Sequence, residues 1–235
     1  MTNQTIGKEE LRRFYNDVYS KGDIRDNEKL YKWVIKLLRV QKEKKLLDIA
    51  CGGGWLLKAA EESGLKTSGL DISEEAVKRA KMNAPHSEIL SGDGQDLHWQ
   101  DNHFDYVTCL GSLEHYINPE IGAKEIRRVL ATEGTAIVML PNSFQLEEIF
   151  KVLFTGEGST QWQIVERLAT KKEWKNLLEK CGLTVTKIFR YNKYPEFFVP
   201  GTYKIKSIRK FLIASSIRYL SPFNFAQHFV YVCKK

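Results

Sequence analysis

Apolar residues recur along this chain with two different periods. Leu11, Phe14, Tyr15 and Val18 stand at i, i+3, i+4 and i+7, and Leu30, Trp33, Val34, Leu37 and Leu38 repeat that spacing. Two amphipathic helices are therefore predicted at the start of the chain. Residues 45–50 form a short apolar run that ends in glycines, the pattern of a buried strand. Trp55, Leu56, Ala59 and Ala60 predict a helix that stops near Gly64. A strand over 67–72 follows, then a helix opening at Ser73, with Glu74 and Glu75 in the first turn where the helix dipole favours acids.

The alternation continues to the C-terminus. Strands are predicted over 88–91, 104–110, 134–140 and 183–190. Asn118-Pro119 opens a helix that runs to Leu130, with proline where its missing N–H is not needed. Trp174, Leu177, Leu178 and Cys181 mark a helix ended by Gly182. The run 229–233 reads as a final edge strand. Strands alternating with helices of ten to fifteen residues imply an α/β fold with a doubly wound, mostly parallel sheet. Two stretches break the rhythm. Residues 142–168 hold an apolar helix (Phe144, Leu146, Ile149, Phe150, Leu153, Phe154) and a glycine loop, and residues 194–227 are rich in aromatic and basic side chains. Both follow strands on the carboxyl side of the sheet, where such folds place ligands, so they are expected to form a lid and substrate walls.

Composition narrows the setting. The 235 residues are 43% hydrophobic and 28% charged, enough apolar mass for one domain over 1–235. The longest run without Asp, Glu, Lys or Arg is fifteen residues, too short and too polar to span a bilayer, and the first residues lack a secretory pattern. Cys51, Cys109, Cys181 and Cys233 form no C-x-x-C pair, which argues against zinc ribbons and disulfide frameworks and for a reducing cytoplasm. The net charge of +7 is unevenly spread. Residues 187–235 carry ten basic side chains against one acidic, so the other 186 residues sum to −2. An anionic membrane surface, a phosphorylated substrate or a polynucleotide would each suit that region, as would a solvated basic face. Ile205, Ile208, Phe211, Leu212 and Ile217 interleave with Lys204, Lys206, Arg209, Lys210 and Arg218. That is the pattern of an interfacial helix on anionic lipid, or of a surface helix packed on the sheet.

The chemistry gathers at the strand ends. Asp48 closes the first predicted strand and the turn Gly52-Gly53-Gly54 leads into a helix, so a ligand can approach the backbone closely. Asp71 stands twenty-three residues on, at the end of the next strand, where a carboxylate can accept both hydroxyls of a ribose. Asp93 follows the third strand in Gly92-Asp93-Gly94-Gln95 and can accept from an exocyclic amine. Three such positions after three successive strands would line one crevice.

With these residues in place, the chain resembles the class I S-adenosylmethionine-dependent methyltransferases, small-molecule branch. The matching pieces are Asp48-Ile-Ala-Cys-Gly-Gly-Gly54, Gly69-Leu-Asp71-Ile-Ser, Gly92-Asp93-Gly94-Gln95, Phe104-Asp105-Tyr-Val and Leu113-Glu114-His115. The resemblance implies a Rossmann-like sheet of seven strands with the last antiparallel. It divides the domain into an N-terminal helical cap (1–40), a cofactor-binding core (41–141) and substrate-side insertions (142–168 and 194–227). S-adenosylmethionine is the implied cofactor. Asp48, Ala50, Gly52 and Gly54 would surround its methionine part with Leu110 beneath, Asp71 and Ile72 its ribose, and Asp93, Gly94 and Gln95 its adenine. An N-terminal helix would close over it, with Tyr15 and Tyr19 as closing or merely packing residues.

Departures from the family's patterns trim the alternatives. Leu57 replaces the third glycine of the dinucleotide fingerprint, which counts against a nicotinamide-dependent oxidoreductase. The first glutamate of a metal-binding E-x-x-E-H is absent before Glu114-His115, so no metal is expected. No proline-rich tetrapeptide follows residue 110, so a nucleic-acid substrate is not expected. Because the methyl group arrives activated, the protein mainly has to align donor and acceptor. Only an acceptor that must lose a proton needs a base, and His115 is the candidate for it, the other reading being a structural partner of Glu114. The expected enzyme methylates a small molecule, lipid-linked or phosphorylated. It is cytoplasmic, with peripheral contact to an anionic membrane through the basic C-terminal region. A non-catalytic S-adenosylmethionine-binding scaffold and an NAD-dependent oxidoreductase are the alternatives.

Overall fold

The computed structural model describes residues 7–24, 27–158, 163–192 and 222–235. The interfacial helix expected within 194–227, and most of the basic C-terminal region, lie outside the described residues. Seven strands form one sheet: β1 (Lys45–Ile49), β2 (Lys66–Asp71), β3 (Glu88–Ser91), β4 (Phe104–Leu110), β5 (Leu130–Pro141), β6 (Thr184–Tyr191) and β7 (His228–Lys234), in the order β3-β2-β1-β4-β5-β7-β6. Neighbours from β3 to β5 run parallel, whereas β7 is antiparallel to both β5 and β6.

The described helices are α1 (Lys8–Lys21), α2 (Glu28–Leu38), α3 (Trp55–Glu62), α4 (Glu74–Asn83), α5 (Pro119–Val129), α6 (Leu146–Thr155) and α7 (Lys171–Lys180). Their starts follow local chemistry. The Asn27 side chain accepts from Leu30 N–H, Ser73 from Ala76 N–H, and Asn118 from Glu120 and Ile121 N–H. Thr170 and Glu173 close a reciprocal capping box on α7.

Each face of the sheet carries its own core, because successive strand residues point to opposite sides. Leu47, Ile49, Val107, Cys109, Val138 and Leu140 pack with residues of α5 and α7 on one face. Leu46, Tyr106, Ile137, Met139, Val230 and Val232 pack with residues of α2, α3 and α4 on the other. Strand order reverses between β1 and β4, which opens a crevice beyond their carboxyl ends.

The last strand departs from the expectation of an edge. β7 sits between β5 and β6, and all of Phe229–Cys233 is buried. A continuous apolar run without polar alternation is what a strand covered on both faces requires. The edge belongs to β6, none of whose residues is fully buried.

A buried asparagine ties the end of β5 to the returning chain. Asn142 is 1% exposed, and its Nδ2 donates to the carbonyls of Phe144 (3.0 Å), Asn224 (2.8 Å) and Ala226 (2.9 Å). Its backbone N–H donates to Gln227 O at 3.0 Å. Asn142→Ala would strand those carbonyls and is expected to cost about 2–3 kcal/mol. A thermal melt several degrees lower, with faster hydrogen exchange at residues 224–228, checks this; an unchanged melt contradicts it.

Candidate functional site

A cavity lies beyond the carboxyl ends of β1, β2 and β4, and it brings together Asp48, Ala50, Gly52, Asp71, Ile72, Asp93, Gly94, Gln95, Leu110 and His115. The floor is the turn after β1. Ala50 (φ 57°), Gly52 (φ 53°) and Gly54 (φ 78°) all adopt left-handed backbone there. Gly52 has a second constraint: a Cβ on it would meet the Tyr19 hydroxyl at 2.6 Å. Gly54 does not line the cavity. A Cβ there would meet Ala80 Cα at 2.8 Å, so its glycine serves the close approach of α4 to the start of α3.

Two buried carboxylates dominate the electrostatics. Asp71 is 4% exposed and ends β2; its Oδ2 accepts from Gly52 N–H at 2.8 Å and its Oδ1 from Ser73 N–H at 2.9 Å. One oxygen thus shapes the glycine turn and the other the entry to α4. Asp48, also 4% exposed, accepts from the Thr108 hydroxyl at 2.6 Å. Neither forms an ion pair among the described residues. Burial pushes Asp48 up to about 7 against the Thr108 bond, with the charge of Asp71 adding to the rise. Burial likewise lifts Asp71 to about 6, opposed by its backbone donors. The site is therefore an acceptor-rich hollow suited to hydroxyl and ammonium donors.

The third carboxylate is wetter and differently held. Asp93 Oδ1 accepts from the backbone N–H of Gln95 at 2.9 Å, while Gln95 Oε1 accepts from Asn118 N–H at 2.8 Å. The turn after β3 is thereby locked to the start of α5. Lys8 Nζ stands 3.6 Å from Asp93 Oδ2.

Helix α1 lies across the opening. Lys8, Leu11, Tyr15 and Tyr19 face the cavity, so the two tyrosines both line and pack. Asn16 Oδ1 accepts from the Ser73 hydroxyl at 2.8 Å, and the Tyr15 hydroxyl donates to Gln163 Oε1 at 2.7 Å. Ile24, Tyr31, Tyr116, Ile117 and Gln163 complete walls that sequence reasoning did not assign. Tyr31 could have been suspected from its place among the apolar positions of α2. The others carry no local signal, since they reach the cavity through contacts such as Tyr15–Gln163, 148 residues apart.

His115 sits in a 3₁₀ turn (Leu113–His115) after β4, 7% exposed. Its Nδ1 lies 2.6 Å from Val165 O, which places the proton on Nδ1, and its Nε2 lies 3.6 Å from Glu114 Oε1. An imidazole so oriented can accept a proton on Nε2, with a neighbouring carboxylate to stabilise the cation formed.

Comparison with known proteins points to one family. The methyltransferase-domain family matches residues 47–138. A demethylmenaquinone methyltransferase of Staphylococcus carnosus is 37% identical over 115 residues, 46% of this chain and 47% of that protein. One of Staphylococcus aureus is 31% identical over 168 residues, 66% of this chain and 69% of that protein. Among solved structures, a putative methyltransferase of Bacillus halodurans superposes with a TM-score of 0.61 at 17% identity, over 87% of this chain and 98% of that one. That likeness concerns the fold.

The raised carboxylates make stability fall with pH. A native pKa near 7 against 3.8 for the free group means that the folded protein holds a proton that the unfolded chain has released. This contribution is complete near pH 4 and is lost as pH rises through about 7. Asp48→Asn, which keeps the Thr108 acceptor, is expected to raise stability by about 2–4 kcal/mol at pH 8. The gap from wild type should shrink as pH falls toward 5. Melting curves at both pH values check this; a gap independent of pH contradicts it.

Proposed function

The chain belongs to the class I S-adenosylmethionine-dependent methyltransferases, and from that premise we propose that the crevice at the ends of β1, β2 and β4 holds the cofactor and that the acceptor is a small molecule of the quinone class. The observation that carries the first part is the pair of buried carboxylates, which no cation among the described residues offsets. Asp71 would take the ribose hydroxyls on the lone pairs that its backbone donors leave open, and Ile72 would pack beside them. Asp48 would take the ammonium of the methionine part above the turn of Ala50 and Gly52, with Leu110 beneath. Asp93, Gly94 and Gln95 would frame the adenine. The residues fit the group: the positive-φ turn admits a ligand against the backbone, and the cavity's acceptors match its hydroxyls and amine.

When bound, S-adenosylmethionine would supply a methyl group activated by a sulfonium, with the sulfur as leaving group. The acceptor atom supplies the pair for the new bond, and its proton passes to His115 Nε2. Glu114 then faces the imidazolium. Helix α1 excludes water above the reacting groups, and Tyr15 and Tyr19 orient them from the same side.

The relatives' names support a quinone acceptor, in its reduced, hydroxyl-bearing form because an electron-poor quinone ring is not a nucleophile. The walls favour it over a phosphorylated one. Leu11, Tyr15, Tyr19, Tyr31 and Ile117 are apolar or aromatic. Lys8 is the one Lys or Arg among the described lining residues, and it already faces Asp93.

Calorimetry with S-adenosylhomocysteine tests the cofactor site. Asp71→Asn keeps the side chain's size and should weaken binding about tenfold or more; wild-type affinity in the variant contradicts the assignment. With reduced demethylmenaquinone as acceptor, His115→Ala should lower kcat by about 100-fold while leaving that affinity unchanged. Methyl transfer undiminished in the variant removes the base, and no transfer to any reduced quinone removes the acceptor class.

A further inference from the structure

His115 takes its orientation from a segment fifty residues further along the chain. Residues 163–168 belong to no helix or strand, yet the segment is tied down at both ends. Gln163 Oε1 accepts from the Tyr15 hydroxyl of α1 at 2.7 Å, and Ala169 O accepts from Ser143 N–H at 3.1 Å, just beyond β5. Between these anchors Val165 O lies 2.6 Å from His115 Nδ1. A carbonyl oxygen only accepts, so it fixes the ring proton on Nδ1 and the acceptor lone pair on Nε2. The neutral imidazole of a solvated histidine favours the opposite tautomer, with its proton on Nε2. The carbonyl must therefore be held in place.

Arg167 supplies that hold. Its backbone N–H donates to Glu114 O at 3.1 Å, and its guanidinium donates to Tyr116 O and, at 2.9 Å, to Ile117 O. These bonds bracket His115, gripping the residue before it and the two after it. A planar guanidinium can serve two carbonyls at once in a fixed geometry, which a single ammonium does not reproduce. Arg167 does not line the cavity, so it reaches the site through these carbonyls and not by touching a ligand. We propose that Arg167 is a positioning residue: it clamps residues 163–168 to the turn after β4, keeps Val165 O on His115 Nδ1, and so keeps Nε2 as the atom that takes a proton. The tautomer follows from this geometry alone. Only its consequence for methyl transfer rests on the reading of His115 as the base.

Nitrogen-15 NMR of the full chain, labelled at histidine and held at an alkaline pH where the ring is neutral, reads the tautomer without turnover. The His115 signals are identified by their loss in His115→Ala. Wild type should show the proton on Nδ1. Arg167→Met should move the population toward Nε2–H. Arg167→Lys, which retains the charge and one donor site, should move it measurably but less, and it carries the test if the methionine variant does not fold. A wild-type ring protonated on Nε2, or a tautomer unchanged in both variants, overturns the proposal. With reduced demethylmenaquinone as acceptor, Arg167→Met should lower kcat by about tenfold, with affinity for S-adenosylhomocysteine unchanged. In a His115→Ala background the same substitution should lower kcat no further. An equal loss in both backgrounds shows that Arg167 acts elsewhere and overturns its role. Absence of transfer by wild type would remove the base reading and leave the tautomer to decide the clamp.

Discussion

Two carboxylates sealed beneath the ends of adjacent parallel strands are the constraint around which this protein is arranged. Asp48 and Asp71 are almost fully buried and no described cation offsets them. An uncompensated buried charge is costly, and the protein offsets part of that cost with the Thr108 hydroxyl and the N–H groups of Gly52 and Ser73. Those donors belong to the neighbouring strand, the glycine turn and the entry to α4. Local structure and site electrostatics are therefore one arrangement: the backbone that shapes the turn also holds the carboxylate that lines the crevice.

The sheet explains why these groups converge. Parallel strands deliver every carboxyl end to one rim, and the order reversal between β1 and β4 leaves a gap at that rim. Helix α1 then roofs the gap. Its contacts are spread over the start of α4 through Asn16, the turn after β3 through Lys8, and Gln163 through Tyr15. These links are polar, and none of them is a deeply buried core contact.

Much of this was legible from the sequence, and the boundary of legibility has a physical basis. Asp48 and Asp71 lie at the carboxyl ends of their strands and Asp93 just beyond its own, so topology alone brings them to one rim. The acidic first turn at Glu74 and the Asn118-Pro119 start were readable because capping is a local matter. Gly54 shows the limit of a motif: it belongs to the glycine run, yet the neighbour that demands it is Ala80 of α4. The walls contributed by Ile24, Ile117 and Gln163 depend on contacts between distant segments, which no local pattern encodes. Periodicity marked α6 as helical and grouped its apolar residues, but periodicity does not say which side meets the protein. The place of β7 inside the sheet was misread for a related reason, since the end of a chain is not the edge of a sheet.

The most direct measurement counts protons. If the ligand's ammonium and hydroxyls are the missing partners of Asp48 and Asp71, binding must lower both pKa values from about 7 and about 6. Titration calorimetry of S-adenosylhomocysteine, in buffers of different ionisation enthalpy, should show release of about one proton near pH 6.5. The release should fade toward pH 8.5, where both groups are already ionised in the free protein. Binding without proton exchange across that range, or with proton uptake at its acidic end, would contradict the account.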